Sequence, residues 1–178
     1  PASRAFMVEG CAKGLFPRQF DIRNAFIQSF LKEKVNVRLP PEWDAGGQER
    51  VVRLIRALYG LRISPVTWYS EYRSGLLKLD WEENIKEPGT FRKTYKDGSM
   101  SYLLVYVDDC LILSPSDAIA KEEMDAILKV YAGTEVLPVG QVGDEREMDF
   151  LGLQVYFNPV RKTLKIIAKK AIERMRLK

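Results

Sequence analysis

The pattern of hydrophobic and polar positions along this chain predicts strands in hairpins that alternate with helices. Short apolar runs bounded by turn residues are typical of strands, and Asp97-Gly98 predicts a hairpin turn between two of them. The predicted strands read LFPRQFDI, which runs into Asp21, VVRLIRALYG, TFRKTY, MSYLLVYVD, CLILS, and DFLGLQVYF with LKII as a second hairpin. Such hairpins indicate an antiparallel or mixed sheet.

Helical spacing interrupts the strands in a few places. Residues 2–14 predict a short helix that ends at Gly14. Ser64-Pro65 and Ser114-Pro115 predict two further helix starts, with Ser as the N-cap and Pro at the first helical position. Apolar residues follow each start at helical spacing: Trp68, Tyr72, Leu76 and Leu79, then Ala120, Met124, Ile127 and Tyr131. The order predicts an α+β domain with helices packed on one face of a sheet.

Composition supports one folded domain. The chain has 178 residues, of which 46% are hydrophobic and 29% charged, enough to build a core. No apolar run reaches the roughly 18 residues of a membrane span, and no signal-peptide pattern is present, so no membrane association is expected. Because the chain begins at Pro1 and not at Met, we expect it to be a piece of a longer protein.

The absence of histidine restricts the chemistry. Zinc sites of the usual kind and histidine-based triads are excluded, and the two cysteines, Cys11 and Cys110, give neither a disulfide framework nor metal spacing. Any reaction must therefore depend on carboxylates, lysines, tyrosines or a metal held by oxygen atoms.

Charge is concentrated at the end of the chain. The net charge is +4, but residues 161–178 contain eight Lys or Arg and one Glu, a net of +7 against about −3 for the remainder, and a basic helix is predicted to close the chain. A basic segment beside a mildly acidic body suits a polyanionic partner, and a solvated helix face is an equally good interpretation.

Two adjacent carboxylates stand between apolar strands in SYLLVYVDDCLIL. If the two arms form one hairpin, Asp108 and Asp109 occupy its tight turn, where like charges repel unless one is protonated or a cation bridges them. Asp21 ends a strand that could lie beside this hairpin. Three carboxylates at strand ends could hold two Mg²⁺ ions ~3.5–4 Å apart for in-line displacement at phosphorus. A plain acidic turn is the alternative.

Four blocks in order carry a family resemblance. YVDD within LLVYVDDCLIL resembles the catalytic hairpin of reverse transcriptases, and FDIRNAFIQSFLKEKVNVRLPPEW resembles their first aspartate motif in copia-type LTR retrotransposons. VVRLIRALYGLRISPVTWY resembles the next block of that group, and DFLGLQV its Phe-Leu-Gly primer grip. The resemblance covers about residues 15–160. It implies a right-hand polymerase palm with a ferredoxin-like antiparallel sheet, with the fingers largely missing.

The resemblance also implies domains and catalytic residues. Residues 1–160 would be the palm with partial fingers, and residues 161–178 a basic segment leading toward the thumb or connection. Asp21 and Asp108 would bind two Mg²⁺ ions, for which Mn²⁺ can substitute, and Asp109 would complete the cluster. The partners would be an RNA or DNA template with its primer and dNTPs, and the RNase H and remaining polyprotein regions would lie outside this chain. The site of action would be intracellular, in a cytoplasmic particle or the nucleus.

Further roles follow from the same resemblance. Phe26 would lie under the sugar of the incoming nucleotide and exclude a ribose 2′-OH. Tyr59 and Gly60 would lie near the nascent base pair, and Tyr106 at the primer terminus. Leu151 and Gly152 would support the primer through a tight hairpin.

One block departs from the family pattern. Where the family usually continues Leu-Lys-Gln-Ala-Pro-Arg, this chain has LRISPV, so Ile63 and Val66 replace two polar residues. The departure, with the missing fingers, leaves two functions open: an RNA-directed DNA polymerase, or a non-catalytic palm that binds nucleic acid or protein. Another palm-type nucleotidyltransferase or cyclase does not explain FLGLQV or LYGL.

Overall fold

The computed structural model describes residues 2–43 and 50–168, which divide into two compact units. The second unit is Asn24–Ser74, and the first consists of the described residues before and after it. The elements in chain order are α1 Ala2–Ala12, β1 Phe16–Ile22, β2 Phe30–Arg38, β3 Val51–Arg56, α2 Ser64–Lys78, β4 Glu82–Glu83, β5 Thr90–Thr94, β6 Met100–Tyr106, β7 Asp109–Ser114, α3 Asp117–Val130, β8 Gly133–Val136, β9 Gly140–Val142, β10 Glu145–Phe150, β11 Leu153–Asn158 and β12 Thr163–Ile167. Short 3-10 turns lie at Ala25–Gln28 and Pro41–Trp43.

The first unit is built on a six-stranded sheet with the order β4-β5-β6-β7-β1-β8. Each neighbouring pair is antiparallel. Within it, β6-β7-β1-β8 has the strand order of a ferredoxin-like βαββαβ unit, with α2 between β1 and β6 in the sequence and α3 between β7 and β8. The predicted α+β class with an antiparallel sheet is confirmed.

The central strand β7 is buried on both faces. Leu111 and Leu113 belong to a hydrophobic cluster shared with α1, β10 and β11. Cys110 and Ile112 alternate with them and are fully buried on the opposite face, where α3 packs on β1 and β7. Each fully buried leucine or isoleucine contributes about 1.5–3 kcal/mol. Burial on two faces explains why CLIL is a continuous apolar run and not an alternating one.

A four-stranded antiparallel sheet with the order β12-β11-β10-β9 completes the first unit's hydrophobic cluster. Leu151 and Gly152 form a two-residue turn between β10 and β11, closed by the pair Phe150 and Leu153. Both turn residues have positive φ, 49° and 75°, as in the type I′ turn that matches strand twist. DFLGLQVYF is therefore two strands and not the single strand that its apolar pattern predicts.

An ion cluster joins four elements of the first unit. Arg18 of β1 donates two hydrogen bonds to Asp117 at the start of α3, at 3.1 and 2.7 Å, and pairs with Glu135 of β8. Arg146 of β10 donates to the same Asp117 carboxylate at 2.7 Å and to the Pro17 carbonyl at 2.5 Å. Burial alone would raise the pKa of Asp117, but the two guanidinium groups lower it below the ordinary value. The cluster fixes β1 against its neighbours.

The second unit contains a two-stranded antiparallel ribbon of β2 and β3. Arg56 at the end of β3 donates to the carbonyl oxygens of Ile27 and Gln28 at 3.1 and 3.2 Å. The Ala57 amide donates to the Ser29 carbonyl at 3.1 Å. These bonds join the ribbon to the 3-10 turn that follows Asn24.

Both predicted helix starts are misplaced by one or two residues. Ser114 is the last residue of β7 and accepts a hydrogen bond from Ser101, whereas Ser116 caps α3 by accepting from the Ile119 amide at 3.2 Å. Ser64 is itself the first residue of α2, and its hydroxyl donates to the Leu58 carbonyl at 2.6 Å. In each case the hydroxyl bonds to a partner other than the helix amide that it would cap according to the sequence.

The basic helix predicted at the end of the chain lies largely outside the described residues, which reach 168 and end with β12. Among the helices that the structure describes, none has the length and apolar character required to cross a membrane.

Candidate active site

Three neighbouring strands bring two of the predicted aspartates side by side. In the register of the sheet, Asp21 of β1 is the partner of Asp109 of β7, and Asp109 is in turn the partner of Tyr106 of β6. Side chains at partner positions of antiparallel strands lie on the same face, with Cβ atoms about 4.5–5.5 Å apart. The prediction that the strand ending at Asp21 lies beside the YVDD hairpin is therefore correct.

The turn of this hairpin consists of Val107 and Asp108. Asp109 is the first residue of β7, so the prediction that both aspartates occupy the turn is wrong for Asp109. Val107 has φ +60°, a region that a β-branched residue enters only under strain, at a cost of about 1–3 kcal/mol. The Ile22 amide donates to the Asp108 carbonyl at 2.9 Å, which ties the turn to the end of β1.

Two carboxyl groups of this site, Asp21 and Asp109, have raised pKa values. Burial raises the pKa of Asp21 above its ordinary value, and the charge of Asp108 raises it further. Burial also raises the pKa of Asp109, with additional contributions from the charges of Asp108 and Asp21. Burial and neighbouring negative charge thus act in the same direction on the pKa values of Asp21 and Asp109.

The donor atoms fit a hard divalent cation. Carboxylate oxygens are the ligands that Mg²⁺ and Mn²⁺ prefer, and a divalent cation would relieve the repulsion that raises the pKa values of Asp21 and Asp109. Within the described parts of the chain, however, no three acidic or cysteine side chains are already arranged around one metal position. The carboxylates of the three aspartates are therefore suitable ligands for a divalent cation, but their side chains do not surround a common metal position.

Replacing Asp109 by Asn should stabilise the chain at pH 7 without divalent cations. Because its pKa is higher in the folded than in the unfolded state, Asp109 lowers the free energy of unfolding as pH rises above the unfolded value of about 3.9. The gain should stay below about 1 kcal/mol, since solvent screens partly exposed charges, and should disappear below about pH 4. Urea unfolding at pH 7 and at about pH 3.5 measures both.

Asp97→Asn is the matched control, because hydrogen bonds from Ser99 lower the pKa of Asp97. Its replacement should bring no gain at pH 7. An Asp109→Asn variant that is less stable than the wild type at pH 7 would contradict the proposed repulsion.

The predicted nucleotide-binding residues lie in the second unit. Phe26 is in the first 3-10 turn and is 8% exposed, and its ring packs on Tyr59 with centroids 4.5 Å apart and planes 48° from parallel. Tyr59 is 53% exposed. Gly60 has φ +93° with open space around its α-carbon, a conformation that glycine adopts without strain. The structure thus brings Phe26 and Tyr59 into contact.

The predicted primer-binding residues lie in the first unit, in two hairpins. The Tyr106 side chain, next to the YVDD turn, is 61% exposed and accessible to a ligand. Leu151 and Gly152 form the tight β10–β11 turn, so the hairpin that the resemblance implies is present.

Gly133 is a residue of this site that the sequence interpretation missed. It is the β8 partner of Ile22, and a Cβ at this position would lie 2.4 Å from the Asp21 carbonyl oxygen and 2.7 Å from Leu128 Cδ2. Only glycine therefore lets β8 approach the backbone that carries Asp21. The signal was a lone glycine inside an otherwise strand-like run, YAGTEV.

Comparison with known proteins identifies a family and several relatives of this chain. The family described as reverse transcriptase (RNA-dependent DNA polymerase) matches residues 10–160. The retrovirus-related Pol polyprotein from transposon RE2 of Arabidopsis thaliana is 35% identical over 119 residues, which are 66% of this chain and 8% of that protein. The transposon Ty1-GR3 Gag-Pol polyprotein of Saccharomyces cerevisiae is 30% identical over 139 residues, 78% of this chain and 8% of that protein. The chain thus spans a small fraction of these relatives.

A solved structure shares the fold. Apo telomerase from Candida tropicalis, truncated from its C-terminal domain, aligns with a TM-score of 0.51 and 14% identity over 92% of this chain and 39% of that one. The likeness supports a polymerase palm-like arrangement around the antiparallel sheet. The family match over residues 10–160 and the two polyprotein relatives show that the chain belongs to the reverse transcriptase family, as a partial domain of the copia type.

Proposed function

We propose that this chain is the palm-containing part of an RNA-directed DNA polymerase that adds dNTPs to a primer 3′ end by two-metal-ion phosphoryl transfer. The observation that carries the proposal is the pairing of Asp21 with Asp109 beside the Asp108 turn, where burial and mutual repulsion raise the pKa of two carboxyls. Such repulsion destabilises a turn that has only a structural role, whereas in a cation-binding group the bound cation would relieve it. On this proposal residues 1–160 form the polymerase part, and residues 161–178 lead toward the next region of an intracellular polyprotein.

The chain's own residues would perform the positioning. Asp21 and Asp108 would hold two divalent cations, Mg²⁺ or Mn²⁺, with Asp109 completing the negative cluster. The cations would lower the pKa of the primer hydroxyl and stabilise charge on the leaving phosphate. The strained Val107 turn, tied to β1 through Ile22, would keep the Asp108 carboxylate at the sheet end.

The primer would be placed by residues beside this cluster. Tyr106, one strand away from Asp109, would pack at the primer terminus. The Leu151-Gly152 turn would support the primer strand through its exposed backbone groups. A template strand, RNA or DNA, would pair with that primer.

The aromatic pair of the second unit would select the sugar. Phe26, held by Tyr59, would lie under the sugar of the incoming nucleotide and leave no space for a 2′-OH. Phe26→Val should therefore increase ribonucleotide incorporation relative to dNTP incorporation by about 10–100-fold, the discrimination that one steric contact supplies. Single-nucleotide extension with rNTP and dNTP measures the ratio. Tyr59→Phe keeps the ring contact and should leave the ratio unchanged, and an unchanged ratio in Phe26→Val would contradict the role.

A non-catalytic palm that binds nucleic acid or protein is the alternative. Two observations favour it: Ile63 and Val66 replace polar residues of the family block, Val66 being 72% exposed, and the described carboxylates do not surround a single metal position. Primer extension on an RNA template with dNTPs and Mg²⁺ or Mn²⁺ separates the two functions. Extension that disappears in an aspartate variant supports the polymerase, and binding of the same primer–template without any extension supports the alternative.

A further inference from the structure

The β2–β3 ribbon carries a concentration of positive charge that the proposed chemistry does not use. Its two strands contain five basic residues and one acidic residue, a net of +4, equal to that of the whole chain. The basic residues are Lys32, Lys34, Arg38, Arg53 and Arg56, and the acidic one is Glu33. Such a stripe of cations attracts a polyanion.

The alternation of the strands gives the ribbon one half-buried and one exposed face. Val35 and Val37 alternate with exposed Asn36 and Arg38 on β2, and the strand register places Asn36 opposite Arg53. Residues that share the exposed side of the paired segment are Asn36, Arg38, Val51 and Arg53, continued along the strands by Lys34 and Ile55. We call these six residues the exposed ribbon face.

Apolar and planar groups lie among the cations. Val51 and Ile55 are 60% and 67% exposed. At one end of the ribbon Phe30 is 59% exposed, and the Arg56 guanidinium lies 4.1 Å from the centre of its ring. A duplex presents its phosphates but hides its base faces, whereas a single strand offers phosphates together with unstacked bases that pack on apolar and planar side chains. The mixture therefore fits a single strand better than a duplex.

We infer that the exposed ribbon face binds single-stranded nucleic acid through its phosphates and bases. On the proposed function, on which this identity rests, the strand is the unpaired template. Lys34 and Arg53 would each neutralise a phosphate, while Val51 and Ile55 would contact the bases between them. The interaction is independent of sequence, because phosphates carry no sequence information and packing on the face of a base tolerates every base.

Neutralising two cations of this face tests the inference. Binding of a fluorescein-labelled single-stranded RNA of about 20 nucleotides is measured by anisotropy across a range of KCl concentrations, without dNTPs or divalent cations. Lys34→Gln/Arg53→Gln should raise the Kd about tenfold and reduce the salt slope by about 0.7 for each phosphate that the variant no longer neutralises. Binding to a blunt RNA–DNA duplex should change less than about twofold.

Lys96→Gln/Lys129→Gln is the matched control, since both lysines are exposed on the first unit and the change in net charge is the same. It should leave the Kd within about twofold. Lys34→Arg/Arg53→Lys keeps both charges and should bind as the wild type does, which excludes misfolding as the cause. Equal losses in the ribbon and control pairs, no loss in either, or an equal loss on the duplex would each overturn the inference.

The assay separates this inference from the proposed function. Asp108→Asn should bind the single strand as the wild type does, because the assay contains no divalent cation. If the wild type does not extend a primer but its single-strand binding still depends on the ribbon lysine and arginine, the polymerase proposal alone would be overturned. Primer extension by the wild type, together with normal binding of the single strand by Lys34→Gln/Arg53→Gln, would overturn the ribbon inference alone.

Discussion

Asp108→Asn should reduce primer extension on an RNA template by about a thousandfold or more. The substitution removes one negative charge from the end of the sheet at which Asp21 and Asp109 are partners, and an amide is a weaker ligand for Mg²⁺ than a carboxylate. Loss of the charge stabilisation that bound cations supply amounts to several kcal/mol, and about 1.4 kcal/mol corresponds to a factor of ten in rate. Gel-resolved extension with dNTPs and Mg²⁺ measures the rate, and Mn²⁺ tests for partial recovery.

Asp97→Asn supplies the matched control. Asp97 lies in the turn at the opposite end of β6, where its carboxylate accepts hydrogen bonds from the Ser99 amide and hydroxyl at 2.9 and 2.7 Å. An asparagine can accept the same bonds, so extension should stay within about twofold of the wild type. Equal extension by wild type and Asp108→Asn would mean that the aspartate turn holds no catalytic cation.

Gly133→Ala should damage both stability and extension. A methyl group at this position would lie 2.4 Å from the Asp21 carbonyl oxygen, a backbone atom that cannot move without moving β1. Overpacking of this kind costs about 1–3 kcal/mol, and a displacement of the order of 1 Å at a reacting group reduces rates by about a hundredfold. Urea unfolding gives the first effect, and extension measured at a temperature where the variant is folded gives the second.

Two further variants define the cause. Gly140→Ala, in β9, places its methyl group 3.3 Å from the movable Glu147 carboxylate and should be tolerated. Gly133→Ala/Leu128→Ala removes the side-chain clash but not the clash with the Asp21 carbonyl, so it should recover stability only in part. Full recovery of extension in the double variant would show that Leu128 and not the Asp21 backbone is the limiting contact.

The strands around the aspartates could be predicted because their signals are local. LFPRQFDI is a strand-like segment with Asp21 as its last residue but one, and SYLLVYVD is an apolar run that ends at Asp108. The Asp97-Gly98 turn fixes the hairpin that precedes SYLLVYVD. The start of α3 could not be predicted in the same way, because Ser114 and Ser116 are equally good N-cap residues in the sequence. Ser114 is held in β7 by its pairing with Phe16 of β1 and by the hydrogen bond from Ser101.

Other features depend on neighbours that are distant in sequence. Val107 gives no turn signal, since a valine at positive φ is unfavourable by itself and is held by the surrounding sheet. Arg18 reads as an ordinary strand cation, yet Asp117 and Glu135, which bind it, come from elements that only the fold brings together. The role of Gly133 likewise depends on the pairing of β8 with β1.

The pairing of β1 with β7 also sets the order in which the site can assemble. The β6–β7 hairpin, with Asp108 and Asp109, closes through a two-residue turn and can form on a timescale of about 1–10 μs. Asp21 joins it only after a loop closes that contains the whole second unit and α2, and such long-range closure slows folding. The repulsion among the three carboxylates therefore arises late in folding, after the β6–β7 hairpin has formed and when β1 joins it. A divalent cation present during refolding should consequently slow unfolding more than it speeds folding.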